Sequence, residues 1–343
     1  MERKYLINGD TGAQLFFYKN YEGICALNLR EGHSERERVI CHDGGANFFV
    51  YQSGDGAIQL ITESASSGLI YMLCRNNEWH RYDIGGINAD LKVKKIMIGA
   101  NKLGQSLFYS ALYHGEYILV HCVLGDNAMP STVDKLFSED FFIYNMRVYY
   151  TNEKGIMGYQ SFADGKPLQF VYCGEGEMPY ACNVNGKNYL TYKKGASIIV
   201  NGRVYAEDIA SEYPVICKNA DKTMLVWKSR DFIRAVPVEN EEMSRTVQSS
   251  AYGTRPELFV MSDGIACKCF YAVFSAHRLK MFHSENPFSK SRESKLEIES
   301  ARLRAEIEEL NKKLEALETE NGFYKKEIVR LNEILQNKAA IDE

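Results

Sequence analysis

The sequence predicts an all-β head followed by a long C-terminal α-helix, and three observations carry that expectation. Residues 1–282 alternate short aromatic and β-branched runs with Gly, Asn and Asp turns, the pattern of serial antiparallel hairpins. Comparable strand openings return about every 40 residues through that stretch. After "FHSENPFS" the aromatics nearly vanish and leucines recur seven residues apart among Glu, Lys and Arg, the spacing of a coiled coil.

Composition bounds what such a chain can do. Its 343 residues are 45% hydrophobic and 25% charged, with a formal charge of −4, enough to bury at least one sizeable core. From Lys290 onward there are 11 Lys and Arg against 13 Asp and Glu, leaving 30 against 32 before it. Neither part is a basic surface, so no nucleic-acid partner is expected. No signal-peptide core opens the chain, and no run reaches the ~18 apolar residues of a membrane span. A cytoplasmic protein without a membrane partner is therefore expected. The nine cysteines, an odd number, all precede the tail and sit mostly singly in apolar runs, which suits reduced buried thiols better than a disulfide framework.

The head reads as strand, tight turn, strand in "FFVYQSGDGAIQLIT", "YACNVNGKNYLTYKKGASIIVNGRVYAEDI", "PVICKNADKTMLVWKSRDFIRAVPV" and "ELFVMSDGIACKCFYAVF". Asp-Gly and Asn-Gly supply the positive φ that two-residue hairpin turns need. Opening strands fall near Tyr5, Phe48, Val93, Phe141, Tyr180, Val215 and Leu258, in steps of 43, 45, 48, 39, 35 and 43 residues. Units of this size with up to four short strands match propeller blades. The expectation is a seven-bladed β-propeller over 1–282; six or eight blades also fit. A pair of β-sandwiches or an open all-β array is the alternative.

This resemblance is to the β-propeller fold and not to one family. No repeated Trp-Asp and Gly-His signature of the WD40 type is present, and "NADKTMLVW", which resembles the Asp-containing turns of sialidase propellers, occurs once. The last unit looks short of strands, so the N-terminal "KYLIN" is expected to complete it and close the ring.

A linker, residues 283–292 with Pro287, leads to a coiled coil over 293–337 and a disordered C-terminus at 338–343. Ser294 with Glu297 forms a capping box for the helix start. The d positions are Leu296, Leu303, Leu310, Leu317, Tyr324 and Leu331; the a positions are Ser300, Ile307, Leu314, Asn321, Ile328 and Leu335. At 1.5 Å per residue the rod would be roughly 65 Å long. Leu at d, Ile at two a positions and one buried Asn favour two parallel strands. Facing g and e residues agree: Glu299 would meet Arg304, Lys313 would meet Glu318, and Glu320 would meet Lys325. Each such pair is worth only about 0.3–0.5 kcal/mol, so it guides orientation more than stability. Asn321-Gly322 resembles a turn, yet the heptad phase is the same on both sides, so one continuous helix is expected. Docking on the chain's own head, or on a different partner, is the alternative. A DNA-binding zipper is disfavoured because Pro287 and sparse charge replace the basic helix it needs.

Sites of chemistry are faint. Cys267 and Cys269, the run Cys41-His42-Asp43, and the pair His114 and His121 match no recognised zinc spacing. "CGEGE", Cys173 to Glu177, carries carboxylates where a phosphate loop needs Lys, and reads as a connection between blades. The 22 tyrosines could offer a carbohydrate or peptide surface, but they fit better as strand formers in an all-β chain. No catalytic, cofactor or metal residues are assigned. The expected function is a non-enzymatic interaction or scaffold protein, homodimeric through its coiled coil, whose head takes an unidentified protein or glycan. A propeller hydrolase or lyase acting on a glycan or peptide, and an assembly component recruited through a hetero coiled coil, are the alternatives.

Overall fold

Two-residue turns set the strand pairing. Asn76-Asn77, His114-Gly115, Asn145-Met146, Asn185-Gly186 and Asn201-Gly202 all have positive φ at both residues, and each links strand residues paired directly across it. Mirror-image turns of this kind match the right-handed twist of the strands they join. The computed structural model describes residues 4–8, 14–28, 37–53, 55–64, 68–84, 90–101, 104–124, 129–163, 166–219, 222–230, 232–238, 248–251, 256–262, 267–275, 278–282, 306–307 and 322. The chain forms two compact units, residues 1–272 with 281–287, and residues 273–280 with 288–343.

Antiparallel up-and-down sheets follow one another along the sequence. The first holds β1 (Tyr5–Asn8), β2 (Gln14–Lys19), β3 (Ile24–Asn28) and β4 (Glu37–Cys41), and the second β5 (Gly44–Gln52), β6 (Ile58–Ser64), β7 (Leu69–Arg75) and β8 (Glu78–Ile84). An eight-stranded sheet comes next: β9 (Lys92–Asn101), β10 (Gly104–Tyr113), β11 (Glu116–Val123), β12 (Ser131–Tyr144), β13 (Arg147–Asn152), β14 (Ile156–Ala163), β15 (Lys166–Pro167) and β16 (Val171–Glu175), the last two both pairing β14. Its 14-residue β12 serves two groups. Leu136 and the residues before it pair β11, Phe141 and those after it pair β13, and the β12–β13 register breaks between Leu136 and Phe141. Then come β17 (Glu177–Val184), β18 (Lys187–Lys194), β19 (Ser197–Val200) and β20 (Arg203–Glu207); β21 (Ser211–Asn219), β22 (Lys222–Ser229), β23 (Phe232–Pro237) and β24 (Gln248–Ala251); and β25 (Pro256–Ser262), β26 (Cys267–Ser275) and β27 (Arg278–Phe282).

Consecutive sheets bury their faces against each other. Leu60 and Ile61 are neighbours on β6, both fully buried, but Leu60 packs with Phe17 and Ile24 of the first sheet whereas Ile61 packs with Ile96 and Leu107 of the next group. Tyr109 and Phe108 divide in the same way, toward Ile61 and toward Phe141. Met157 of β14 meets Tyr192 and Ile199 of the following sheet. Burial on both faces explains why these strands read as apolar runs rather than clean alternation. Each such Leu or Ile contributes roughly 1.5–3 kcal/mol of transfer free energy.

The first strands lie side by side: β1 with β5, β5 with β9, β9 with β12, β12 with β17, and β17 with β21. Strand β25 lies beside β22 and β23, and also beside β1. The "KYLIN" expectation is corrected here. Strand β1 pairs β2 in register from Tyr5 opposite Phe17 to Asn8 opposite Gln14, so it opens its own four-stranded sheet and reaches β25 as a neighbour. Tyr5 stands edge-on to Phe48 and Phe49, with centroids 5.3 and 5.4 Å away, which anchors it among first-strand residues.

Candidate functional site

Of the seam residues Leu296, Leu303, Ile307, Leu310, Leu314, Leu317, Asn321, Tyr324, Ile328, Leu331 and Leu335, the described residues include Ile307 alone. It is helical and 56% exposed. Gly322 is helical too, and a Cβ there would meet nothing within 4 Å. The other seam positions, the capping box and the linker lie outside the described residues.

The sequence's cysteine and histidine candidates do not converge. Seven described cysteines are free thiols, six of them buried. The Cys41 thiol donates to Asp43 Oδ1 at 3.5 Å, and burial pushes its pKa up to about 11. Asp43 is held by Arg81, whose Nη1 and Nη2 donate to its two oxygens at 2.9 Å each, while the His42 ring meets Glu22 O at 3.3 Å. His114 occupies the β10–β11 turn and His121 is buried farther along β11. Cys267 and Cys269 both lie on β26, with side chains outside the described residues. Among the described residues no three His, Cys, Asp or Glu side chains gather as a metal site. "CGEGE" spans the end of β16, Gly176 and the start of β17, and so connects two sheets.

Where β12 and β13 turn back, the structure opens a cleft of about 160 Å³ toward the neighbouring sheet. Tyr144, Asn145, Arg147 and Tyr149 line it from one hairpin; Ala181, Cys182, Asn188 and Tyr189 line it from the β17–β18 hairpin. Tyr149, Ala181, Cys182 and Tyr189 are buried and make its floor, while Asn145, Arg147 and Asn188 are exposed at its rim. The floor is tied down where Cys182 Sγ donates to Ile216 O at 3.7 Å.

Arg147 dominates the cleft's electrostatics. Its guanidinium carbon stands 4.9 Å from the centroid of the Tyr159 ring, a cation–π contact. Tyr159 in turn lies 5.2 Å from Tyr149. The hydrogen bond with Tyr149 is the first of the causes that hold the Arg147 pKa above its ordinary value. Burial pushes the Tyr149 hydroxyl up, against the pull of Arg147. No carboxylate pairs Arg147 among the described residues. Asn188 Oδ1 accepts from Asn183 Nδ2 at 2.9 Å and Asn188 O accepts from Asn201 Nδ2 at 3.2 Å.

The sequence reading missed these residues. Their signal was present as two Asn-bearing turns one repeat apart, "YNMR" at 144–147 and "NGK" at 185–187, but only packing of adjacent sheets makes them one site.

Antiparallel sheets stacked face to face with their first strands side by side define a β-propeller-type repeat fold. No family model and no curated protein matches the chain. Solved structures do. Dihydro-heme d1 dehydrogenase NirN in complex with DHE is 13% identical at a TM-score of 0.52, over 81% of this chain and 63% of that one. The AfRom2 CNH domain is 9% identical at a TM-score of 0.50, over 81% and 92%. The fungal lectin from Aleuria aurantia, a six-bladed β-propeller that recognises fucose, is 11% identical at a TM-score of 0.41, over 81% and 89%. At such identities the first two likenesses speak for the fold alone.

Proposed function

We propose that this chain is a bivalent interaction protein, in which a seven-bladed propeller head binds a ligand and a parallel coiled coil pairs two heads. The observation that carries the reading is the tail's unbroken heptad phase from Leu296 to Leu335. Ile307, an a-position residue left 56% exposed in the single chain, supports it because an apolar seam needs a partner surface. Dividing the eight-stranded sheet at the register shift between Leu136 and Phe141 supports the reading of seven blades. Pairing matters because the second contact with a multivalent target becomes intramolecular, raising avidity without new contacts.

Light scattering on the full chain tests this. The expected result is a dimer that becomes monomeric when Leu310 and Leu317 are both replaced by Glu. A monomeric wild-type chain would overturn self-association.

A further inference from the structure

The geometry points to the Arg147 cleft as a binding site for a small monocarboxylate of about the size of one ring. The charge comes first. Arg147 sits at the rim with no carboxylate partner among the described residues, stacked on Tyr159. Stacking restrains the planar fork, so less side-chain entropy is left to lose when it engages a carboxylate. The rest of the lining suits the ligand's other end. Tyr149, Ala181 and Tyr189 make a buried floor of two aromatic side chains and a methyl, and Asn145 and Asn188 add polar groups at the rim. Aromatic side chains beside a few polar groups that fix orientation are a usual composition of a small-molecule site.

Size and charge narrow the class. A space of about 160 Å³ is close to the ~150 Å³ of a cavity that accepts benzene. One guanidinium balances one carboxylate, whereas a phosphate dianion would keep half its charge uncompensated over buried tyrosines.

This inference rests on reading the head as the binding part, and its assay separates the two proposals. Loss of dimerisation would leave the cleft intact, and loss of cleft binding would leave the dimer intact. The probe is benzoate, titrated into the full-length chain by calorimetry beside benzamide, its neutral isostere, and phenyl phosphate. Benzoate should bind at least tenfold more tightly than benzamide and more tightly than phenyl phosphate, and Arg147→Gln should lose at least tenfold. Equal affinity for benzoate and benzamide, no binding of benzoate, or an Arg147→Gln chain that binds as well would overturn it. Tighter phenyl phosphate would overturn the carboxylate assignment. Should Arg147→Gln fail to fold, Asn188→Asp, which adds a negative charge to the exposed rim, should lower benzoate affinity at least tenfold, and unchanged affinity would overturn the site.

Discussion

Trp227 donates its indole Nε1–H to Asp208 Oδ2 at 2.9 Å, tying the turn that ends one sheet to the second strand of the next. Trp227 is fully buried, and the Asp208 side chain, 8% exposed, also lies 3.6 Å from Arg234 Nη1. Burial by itself would raise the Asp208 pKa, but hydrogen bonds from Ser229, Trp227 and Ala210, with the Arg234 charge, hold it below the usual value. Asp208→Ala strands both the indole and the guanidinium, and should cost about 2–4 kcal/mol. Asp208→Asn, which can still accept from Trp227, should cost less. Denaturant midpoints of the two variants check this ordering.

His121 should make stability depend on acid. Its ring packs against both Phe108 and Phe162, each with its centroid 4.7 Å away, and its Nε2 has no hydrogen-bond partner among the described residues. Burial lowers its pKa from 6.5 to about 4. Below the higher value the unfolded chain takes up a proton that the folded chain refuses. The stabilisation is therefore complete above 6.5 and declines as pH falls toward about 4, by up to about 3 kcal/mol. His121→Leu should show a smaller fall in melting temperature between neutral pH and pH ~5 than the parent chain. Parallel declines would contradict this origin.

Gly176 should tolerate no side chain. It joins β16 to β17 at φ +154°, and a Cβ would stand 2.5 Å from Lys193 O and 2.7 Å from Tyr192 Cδ2. The backbone term alone is about 1–3 kcal/mol, and the overlap adds to it. Thermal melts of Gly176→Ala should show a clear loss, whereas Gly186→Ala, with nothing within 4 Å of the added Cβ, should carry only the backbone strain.

In the tail, Gly322→Ala adds a methyl where nothing lies within 4 Å, and should stabilise the helix by about 1 kcal/mol without changing stoichiometry. Asn321→Ile should also raise stability, but broaden the oligomeric states seen by light scattering, because the seam loses its buried polar register mark. Lower stability with unchanged stoichiometry would contradict the seam position.

The chain's own letters determined the all-β repeat, because hairpin turns and strand runs are local chemistry. Tyr5, Phe48, Val93, Phe141, Tyr180, Val215 and Leu258 each fall within the first strand of a sheet or of a half-sheet. Asn185-Gly186 and Asn201-Gly202 close their hairpins where the positive-φ rule puts them. The heptad phase of the tail is likewise legible without coordinates.

Other features needed the folded chain. That β12 runs unbroken from Ser131 to Tyr144 and joins two groups of strands is set by pairing on both its ends. That β1 opens its own sheet is set by its register with β2. Only the stacking of two sheets brings Arg147 and Tyr149 against Asn188 and Tyr189, about 40 residues later in the sequence. The physical reason is one of range. Turn and strand preferences act over two to ten residues, while a cleft between sheets exists only once their apolar faces have met.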